Sequence, residues 1–439
     1  MKHVIIGNGP AGVVAAEALR KANPKSEITM IGDEPEPPYS RMAIPYLLMG
    51  NVKEDGTYLR KGQGHFEKLG IKLVVGRAEK IDTQAKTVKL NNGTTLAYDR
   101  LLIATGSQPI KPPIPGIDAP NVHSCWTMSD ARHIISLAKP GSRVLQIGAG
   151  FIGCIIMEAL ASRGVQLTVV EMGDRMVPRM MTPGAGTMIK KWCEKKGVAV
   201  HTGARVESLS PSADKPEGLM GKLKSMLGAE EAPAALIAKL NTGAEVTADL
   251  VISAAGVKPN IGFLEGSGIK THTGIIVNEK METSVSGVYA AGDVAEAVDF
   301  NTGEMTVNAI QPNAVEQGRL AALNMAGKAS VSQGSLAVNV LDTLGLISSS
   351  FGQWWGDTKG ESVEMKDDAN FRYLSLQFKD DVLIGATSIG LTDHVGVLRG
   401  LIQTKTRLGA WKDKLLHDPT HVMEAYLAQA QAQSKFLPQ

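Results

Sequence analysis

One pattern of apolar and polar positions occurs twice along the chain, with the same order of elements each time. From Lys2 the sequence reads as an apolar β-branched strand, a glycine turn, an amphipathic helix and a second strand that ends in acid. From Ser142 the segment SRVLQIGAGFIGCIIMEALASRGVQLTVVEMGD repeats that order. The repeat predicts an α/β protein with two strand–helix–strand units of the dinucleotide-binding type.

Each copy carries the glycine spacing G-x-G-x-x-G at its strand-to-helix turn. The first glycine makes the tight turn, the second lets the backbone approach a pyrophosphate, and the third lets the helix pack closely on the sheet. Free N–H groups at the start of the helix then favour an anion. Two complete copies predict two dinucleotide sites, built on Gly7, Gly9, Gly12, Gly148, Gly150 and Gly153.

Acidic residues follow the second strand of each copy, where a ribose 2′-hydroxyl is held. They are Asp33 and Glu34 in the first copy and Glu171 in the second. A carboxylate at 171 repels a 2′-phosphate, and no arginine follows it directly. The second site is therefore predicted to prefer NADH, with NADPH as the less favoured alternative because Arg175 is close in sequence.

The pattern changes in two later segments. YLSLQFKDDVLIGATSIG alternates apolar and polar residues, which predicts a half-buried antiparallel sheet near the C-terminus. Apolar residues recur at spacings of three and four between Leu219 and Leu227, which predicts a helical insertion at about 212–232. That helix is either a lid on its own domain or a docking helix for a partner protein or a membrane surface.

Composition and charge exclude several classes of function. The chain has 439 residues, 43% of them hydrophobic and 21% charged, and a formal net charge of +2, without the basic runs that bind nucleic acid. No apolar stretch is long enough for a membrane span. Three scattered cysteines and dispersed histidines predict neither a disulfide framework nor a metal site. A cytoplasmic protein is the resulting expectation.

Five motifs in order carry a family resemblance: the first glycine fingerprint, YDRLLIATGSQP, the second fingerprint, DLVISAAGVKPN and TSVSGVYAAGDVAE. Over roughly residues 1–327 the chain resembles the FAD-dependent pyridine nucleotide oxidoreductases, flavoproteins with two dinucleotide-binding domains. It is most similar to the branch with ferredoxin and rubredoxin reductases, NADH oxidases, coenzyme A disulfide reductases and the FAD part of nitrite reductases. The resemblance implies FAD in the first site and the nicotinamide nucleotide in the second.

The resemblance also implies the residues of both sites. Asp293 would hold the ribityl-phosphate region of FAD, and the helix that starts near Pro312 would direct its N-terminal amides at the flavin. Phe151 is a candidate aromatic gate over the flavin, or an ordinary core aromatic. The implied FAD-binding residues are Gly7, Gly9, Pro10, Ala11, Gly12, Asp33, Glu34, Arg41, Ala104, Thr105, Gly106, Gly292, Asp293 and Gln311. The implied NAD-binding residues are Gly148, Gly150, Phe151, Ile152, Gly153, Glu171 and Gly256.

These motifs divide the chain into three expected domains. An FAD-binding domain spans 1–115 and 256–327, and an NAD(H)-binding domain spans 116–255 with the insertion. A C-terminal α+β domain at 328–439 forms the subunit interface in relatives, which implies a homodimer or a subunit of a complex.

The segment PPYSRMAIPYLLMG lacks the reactive groups that relatives keep beside the flavin. Met42 stands where the disulfide-reducing branch has its cysteine, and a thioether cannot act as a thiolate. Tyr46 and Ile155 stand where ferredoxin-reductase-like members carry a lysine and a glutamate. Both members of that ion pair are absent together, so no single charge is left buried.

The leading functional hypothesis is therefore an FAD enzyme that takes a hydride from NADH and passes electrons onward without a cysteine relay. The expected acceptor is a small redox protein or a partner subunit, by resemblance to the ferredoxin and rubredoxin reductases. Two alternatives remain: an NADH oxidase or reductase of a quinone or other small molecule, and a nucleotide-responsive flavoprotein that acts mainly by binding.

Overall fold

The computed structural model describes residues 1–212 and 234–434, and the predicted insertion helix lies almost entirely outside the described residues. The described helices are α1 (Pro10–Ala22), α2 (Ile44–Leu48), α3 (His65–Lys68), α4 (Met128–Leu137), α5 (Phe151–Ala161), α6 (Pro183–Lys195), α7 (Gln311–Met325), α8 (Val395–Thr404), α9 (Ala410–His417) and α10 (Val422–Ser434). The described strands are β1 (Lys2–Ile6), β2 (Glu27–Gly32), β3 (Ile71–Val75), β4 (Ala78–Asp82), β5 (Thr87–Leu90), β6 (Thr95–Ala97), β7 (Arg100–Ile103), β8 (Ser107–Pro109), β9 (Val122–His123), β10 (Arg143–Ile147), β11 (Gln166–Glu171), β12 (Ala199–Thr202), β13 (Val206–Pro211), β14 (Leu236–Leu240), β15 (Glu245–Ala248), β16 (Leu250–Ser253), β17 (Val257–Pro259), β18 (Ile275–Ile276), β19 (Val288–Ala290), β20 (Ala295–Val298), β21 (Met305–Thr306), β22 (Val338–Thr343), β23 (Leu346–Gly352), β24 (Glu361–Asp367), β25 (Arg372–Lys379) and β26 (Val382–Ile389).

The chain forms two compact units. Unit 1 consists of Met1–Ala43, Val52–Gln108 and Val257–Ala337, and unit 2 consists of Ile44–Asn51, Pro109–Gly256 and Val338–Gln439. The segments of unit 1 correspond closely to the predicted FAD-binding segments, except that residues 44–51 belong to unit 2. The C-terminal region and the predicted NAD-binding region share unit 2, and the division into three domains stays a prediction.

Unit 1 is built on a five-stranded parallel sheet in the order β19-β7-β1-β2-β3. Its central strand, β1, is nearly continuous in apolar residues because helices and loops cover both faces of a parallel sheet. Val4, Ile5 and Ile6 are buried there at 3% exposure or less. The helices α1 and α7 pack on this sheet and on each other, which brings their N-termini to the carboxyl ends of the strands.

Unit 2 repeats this topology with a parallel sheet in the order β12-β11-β10-β16-β9. Strand β10 takes the place of β1, and α5 takes the place of α1. Strands β13, β14 and β15 form a small antiparallel sheet in this unit. Unit 1 has a matching small sheet, β4-β5-β6. The α/β fold with two dinucleotide-binding sheets is confirmed.

The C-terminal part of unit 2 is a five-stranded antiparallel sheet in the order β22-β23-β26-β25-β24. The predicted antiparallel pair YLSLQFKDDVLIGATSIG forms β25 and β26. Helix α8 packs on β23 and β26. Among the described residues, no helix has both the length and the apolar character that a bilayer crossing requires.

One buried residue makes the stability of unit 1 depend on pH. His3 lies in β1 with 1% exposure, and neither ring nitrogen has a hydrogen-bond partner among the described residues. Burial, reinforced by the charge of the N-terminus, lowers its pKa to about 4. His3 therefore binds a proton below about pH 6.5 in the unfolded chain but only below about pH 4 in the folded chain. The contribution of neutral His3 to the free energy of unfolding is fully present above pH 6.5 and is lost as the pH falls from 6.5 to 4.

We expect His3→Phe to flatten this dependence, because phenylalanine keeps the ring in the core and has no proton to bind. The contribution of His3 has a limiting slope of about 1.4 kcal/mol per pH unit. Thermal midpoints of the FAD-bound protein between pH 7.5 and 5 measure it, with His421→Gln at an exposed position as the control. Identical pH profiles for wild type and His3→Phe would show that another group is responsible.

Candidate functional site

The first glycine turn of unit 1 is fixed by a neighbouring strand end. The N–H of Gly7 donates to the Ile31 carbonyl at 2.8 Å, and its φ is +112°. A Cβ at Gly7 would lie 2.0 Å from the carbonyl oxygen of Ala104, and one at Gly12 would lie 2.0 Å from that of Gly7. Both positions therefore require glycine, and Ala104, the first residue of the ATG motif, packs on the turn.

Gly9 differs from the other two glycines because space is open around it. Nothing lies within 4 Å of the position that its Cβ would take, and its backbone is in an ordinary extended conformation. It is the N-cap of α1, which has Pro10 at its first position, no acidic residue in its first turn and no side-chain cap. Uncapped N–H groups at a helix N-terminus beside open space fit the pyrophosphate of a dinucleotide.

A carboxylate lies at the end of another strand of the same sheet. Asp293 follows β19 after Ala291 and Gly292, and the Ser107 hydroxyl donates to its Oδ2 at 3.1 Å. Burial raises the pKa of this carboxyl, while the Ser107 hydrogen bond and the Arg41 charge oppose the rise. A half-buried acid at the carboxyl end of a parallel strand fits a hydroxyl-bearing chain such as the ribityl group.

Helix α7 is held against this strand end and against α1. Gly292 has a φ of +81°, and its N–H donates to the Gln317 side chain at 2.9 Å. A Cβ at Gly318 would lie 2.4 Å from the Ala11 carbonyl, so the two helices touch backbone to backbone there. Gln311, the first residue of α7, accepts a hydrogen bond from the Ser40 hydroxyl at 3.0 Å.

The ATG motif is tied to a segment far along the chain. The Asn260 side chain donates to the Thr105 carbonyl at 2.9 Å, and the Thr105 hydroxyl donates to the Asn260 carbonyl at 3.1 Å. The N–H of Asn260 donates to the Gly106 carbonyl. These three hydrogen bonds fix the backbone of Thr105 and Gly106, which follow the carboxyl end of β7.

The two predicted acids of the first site have different surroundings. Glu34 accepts hydrogen bonds from Arg41 at 2.8 Å and from the Tyr39 hydroxyl at 2.7 Å, which orients its carboxylate. Asp33 is more exposed and makes a longer contact of 3.4 Å with Arg77. Arg41 thus supports the acid, and Glu34 is the better ordered candidate for a ribose.

The glycine turn of unit 2 reproduces the first in detail. Gly148 has a φ of +99°, and its N–H donates to the Val170 carbonyl at 2.8 Å. Added Cβ atoms would lie 2.4 Å from the Ala254 carbonyl at Gly148 and 2.6 Å from the Gly148 carbonyl at Gly153. Gly150, the uncapped N-terminus of α5, again has nothing within 4 Å. The second site fits a dinucleotide for the same reasons.

Glu171 is held by backbone N–H groups, whereas Glu34 of unit 1 is held by side chains. Its carboxylate accepts from the N–H of Ala149 at 2.6 Å and from that of Gly173 at 2.7 Å. Strand register places Glu171 opposite the glycine turn where Gly32 lies in unit 1, one residue before Asp33. At Gly32 a Cβ would meet the Asn8 side chain at 2.2 Å, so an acid at this position would require Asn8 to move. The two acidic sites are therefore not equivalent in position.

The Arg175 side chain is hydrogen-bonded to groups of the protein. Its guanidinium donates to the carbonyls of Met181 at 3.2 Å and Pro178 at 3.1 Å, and to Asp174 at 2.7 Å. Its side chain is only 18% exposed. A guanidinium with these three partners would have to break them to bind a 2′-phosphate, which supports NADH at this site.

The remaining predicted residues lie at helix starts and turns. Phe151 and Ile152 open α5 and are half-buried. Gly256 has a φ of +104°, and its carbonyl accepts from the N–H of Ile110 at 2.9 Å, at the end of the β16 segment. Met42 is 45% exposed in unit 1, and Tyr46 is 53% exposed on α2 in unit 2. Placing the last two beside a flavin stays a prediction.

All three cysteines are buried with protonated thiols. Cys154 and Cys193 have 0% exposure, and Cys125 has 9%. Burial raises the pKa of Cys125 and of Cys193 to about 12, and it raises the pKa of Cys154 further. Cys154 is one of the buried residues of α5. Within residues 1–212 and 234–434, no group of three or more His, Cys, Asp or Glu side chains could hold a metal ion.

Sequence reasoning missed several residues that support the sites. Ser107, Asn260 and Gln317 each bond to residues far away along the chain, so local pattern does not predict their partners. Asn260 stands inside the motif DLVISAAGVKPN, whose final residue was the available signal.

Two topologically matched units, each with an open glycine turn at an uncapped helix, define a protein that binds two dinucleotides. The sequence matches the profile of the family Pyridine nucleotide-disulphide oxidoreductase over residues 1–318, and the chain belongs to that family. It is an FAD-dependent oxidoreductase that uses a nicotinamide nucleotide.

Individual relatives agree with this assignment. The chain is 30% identical over 438 residues to the NADH-dependent phenylglyoxylate dehydrogenase subunit epsilon of Aromatoleum evansii, which covers 98% of this chain and 97% of that protein. It is 34% identical over 337 residues to an NADH oxidase of Methanocaldococcus jannaschii, covering 74% of this chain and 70% of that one. A solved NAD-dependent persulfide reductase from A. fulgidus superposes with a TM-score of 0.82 at 29% identity, covering 93% of this chain and 78% of that one.

Proposed function

We propose that this protein takes a hydride from NADH and passes the electrons to a small redox protein or a partner subunit, without a cysteine relay. The observation that carries the proposal is the burial of all three thiols together with a methionine at position 42. When bound, FAD would supply the capacity to accept a hydride from NADH and to pass electrons on. Cofactors of this kind react directly, while the protein positions them.

The chain's own residues bind and orient the two cofactors in this proposal. In unit 1, Gly9 and the start of α1 hold the FAD pyrophosphate, and Asp293 holds the ribityl chain. In unit 2, Gly150 and the start of α5 hold the NADH pyrophosphate. The Glu171 carboxylate accepts hydrogen bonds from the ribose hydroxyls, while its hydrogen bonds from two backbone N–H groups keep it in place. Its negative charge disfavours NADPH.

The partner subunit is favoured as acceptor by the extent of one similarity. The phenylglyoxylate dehydrogenase protein is named as a subunit, and its similarity extends over nearly the full length of both chains. Direct transfer to dioxygen is the second candidate, favoured by the similarity to an NADH oxidase. Rates with NADH and four acceptors, namely rubredoxin, a [4Fe-4S] ferredoxin, menadione and dioxygen, separate the two.

Transfer to one of the iron proteins at least tenfold faster than to dioxygen supports the proposal. Dioxygen or menadione as the fastest acceptor would replace it with the oxidase or quinone-reductase function. These rates are compared per bound FAD, so that incomplete cofactor loading does not imitate slow transfer.

Cysteine relays are tested by removing every thiol. We expect Cys125→Ser/Cys154→Ala/Cys193→Ala to keep NADH-dependent turnover within about twofold of wild type, because buried protonated thiols are poor nucleophiles. The small loss of core packing is expected to lower the melting temperature slightly. Turnover per bound FAD and melting temperature are measured together.

Treatment of the folded wild type with N-ethylmaleimide gives an independent check on the same point. Unchanged activity and no modification agree with buried thiols. More than tenfold loss of turnover in a triple variant with full FAD content would establish a thiol step, of the kind expected from similarity to the persulfide reductase.

A further inference from the structure

A glutamine is buried next to the glycine turn of unit 2. Gln146 is the fourth residue of β10, two residues before Gly148, and it has 0% exposure. Its Nε2 donates a hydrogen bond to the Gly148 carbonyl at 2.9 Å, whereas its Oε1 has no hydrogen-bond partner among the described residues. A buried acceptor without a donor destabilises the folded state, so stability alone does not explain a glutamine at this position.

The matching position of unit 1 has an apolar side chain. Counted from the first glycine of each fingerprint, Ile5 takes the place of Gln146, and it is also buried at 0% exposure. The Cγ2 atom of Ile5 lies 3.3 Å from the position that a Cβ on Gly12 would take. The Nε2 atom of Gln146 lies 2.9 Å from the corresponding position on Gly153. A glycine turn of this kind therefore forms beside isoleucine in unit 1, without an amide donor from that side chain.

The hydrogen bond from Gln146 acts on one peptide group of the turn. The peptide between Gly148 and Ala149 presents its carbonyl to Gln146, and its N–H donates to the Glu171 carboxylate at 2.6 Å. On either side of it, the N–H of Gly148 and the carbonyl of Ala149 make backbone hydrogen bonds of 2.8 Å instead. Gly148 has a φ of +99° and little resistance to rotation of this peptide. Two side chains, at 146 and 171, therefore fix its orientation.

The glutamine and the acid occur in the same copy of the repeat. Unit 2 has Gln146 and Glu171, whereas unit 1 has Ile5 and Gly32 at the matching positions. A donor to a peptide carbonyl polarises that peptide and strengthens its N–H as a donor in turn. Gln146 thus strengthens the hydrogen bond that orients Glu171, and unit 1 has no acid at that position to orient.

We propose that Gln146 is a positioning residue for the nicotinamide nucleotide and that it acts through Glu171. It fixes the peptide between Gly148 and Ala149, so that the carboxylate stays aligned with the ribose hydroxyls. This inference rests on the proposed function, in which Glu171 accepts hydrogen bonds from that ribose. The same side chain destabilises the core through its Oε1 and serves the site through its Nε2.

Opposite effects on stability and on binding are expected for Gln146→Ile. This substitution introduces the side chain that unit 1 has, and it removes both the unpartnered Oε1 and the donor to Gly148. We expect a melting temperature equal to or above that of wild type and an NAD⁺ dissociation constant at least fivefold higher. The preference for NAD⁺ over NADP⁺ should fall at least threefold, because the unphosphorylated ribose is the one that depends on Glu171. The limiting rate of flavin reduction by NADH should stay within twofold of wild type.

A double-mutant cycle with Glu171→Ala separates positioning from a general movement of the turn. Isothermal titration calorimetry of the oxidised, FAD-loaded protein with NAD⁺ and NADP⁺ gives dissociation constants without hydride transfer. If Gln146 acts through Glu171, adding Gln146→Ile to Glu171→Ala should change the NAD⁺ dissociation constant less than twofold.

Thr387→Val is the matched control. Thr387 also has 0% exposure and a hydroxyl without a partner among the described residues, but it lies in β26 of the antiparallel sheet. Thr387→Val should bind NAD⁺ with the affinity of wild type.

Wild-type affinity for NAD⁺ in Gln146→Ile overturns the inference, and so does an equal loss of affinity with and without Glu171. If Gln146→Ile does not fold, Gln146→Met, which is unbranched and has no donor, is judged by the same two criteria. A wild type that binds NAD⁺ but is not reduced by NADH contradicts the proposed function instead, and the binding test of Gln146 still decides the inference.

Discussion

Replacing Gly150 with valine is expected to weaken NADH binding strongly, and so to slow reduction at low NADH concentration, while leaving FAD bound. The backbone of Gly150 has φ −75° and ψ −170°, which valine can adopt, and nothing in the protein lies within 4 Å of the new Cβ. The side chain would fill the space that the nucleotide pyrophosphate needs. We expect the half-saturating NADH concentration to rise roughly 100-fold, about 2.7 kcal/mol of binding free energy.

The matched control is the same substitution in the other unit. Gly9 has nearly the same backbone conformation and the same open surroundings, so Gly9→Val should fold but be isolated without FAD. Gly153→Val is a second control, because its side chain would collide with the Gly148 carbonyl and destabilise unit 2 itself. Normal reduction of Gly150→Val by NADH would show that the nucleotide binds elsewhere.

Asp293→Ala is expected to weaken FAD binding by about 10- to 100-fold, because hydrogen bonds to charged groups contribute about 1.5–3 kcal/mol. The carboxyl is half-buried at the strand end and already positioned by Ser107. Titration of the apoprotein with FAD, followed by flavin fluorescence, measures the affinity. Ser107→Ala removes only the supporting donor, and its expected loss is threefold or less.

Equal FAD affinity in Asp293→Ala and wild type would contradict the assignment of Asp293 to the ribityl chain. Loss of affinity in Ser107→Ala equal to that in Asp293→Ala would indicate that the strand end itself has moved. Circular dichroism of both apoproteins distinguishes this movement from a lost contact.

The repeated sheet topology and the three glycine positions in each unit could be predicted from the sequence. These features depend on residues that are close in sequence. The spacing of Gly7, Gly9 and Gly12 therefore predicts the turn geometry. The structure adds the reason for the first glycine in each copy. A neighbouring carbonyl, from Ala104 or Ala254, occupies the place of its Cβ.

The offset between the two acidic positions could not be predicted in this way. Taking each acid as the end of the second strand treats Asp33 and Glu171 alike, whereas strand register places Glu171 opposite the turn and Asp33 one residue beyond it. The Asn8 side chain, which occupies the space in the first copy, is a tertiary contact. Register of this kind depends on packing between strands rather than on composition.

The packing of residues 44–51 and their contact with Arg163 could not be predicted from the sequence either. Residues 44–51 lie between two segments of the FAD-binding unit, and local pattern assigns them there. They pack in unit 2, where the Leu48 carbonyl accepts a hydrogen bond from Arg163, 115 residues further along the chain. An arginine just after a helix is usually a solvated surface residue, so its hydrogen bonds to the carbonyls of Leu48, Ala138 and Ile135 were found only in the structure.

The central claim is that NADH reduces the FAD of this protein and that the electrons then await a partner. Anaerobic stopped-flow mixing of the FAD-loaded protein with NADH, and separately with NADPH, followed by admission of air, tests it most directly. The account predicts rapid bleaching of the flavin absorbance by NADH, much slower bleaching by NADPH, and slow recovery in air. Absence of bleaching by both nucleotides would contradict hydride transfer and leave a role in nucleotide binding. Immediate recovery of the flavin absorbance in air would contradict transfer to a partner protein and favour an oxidase.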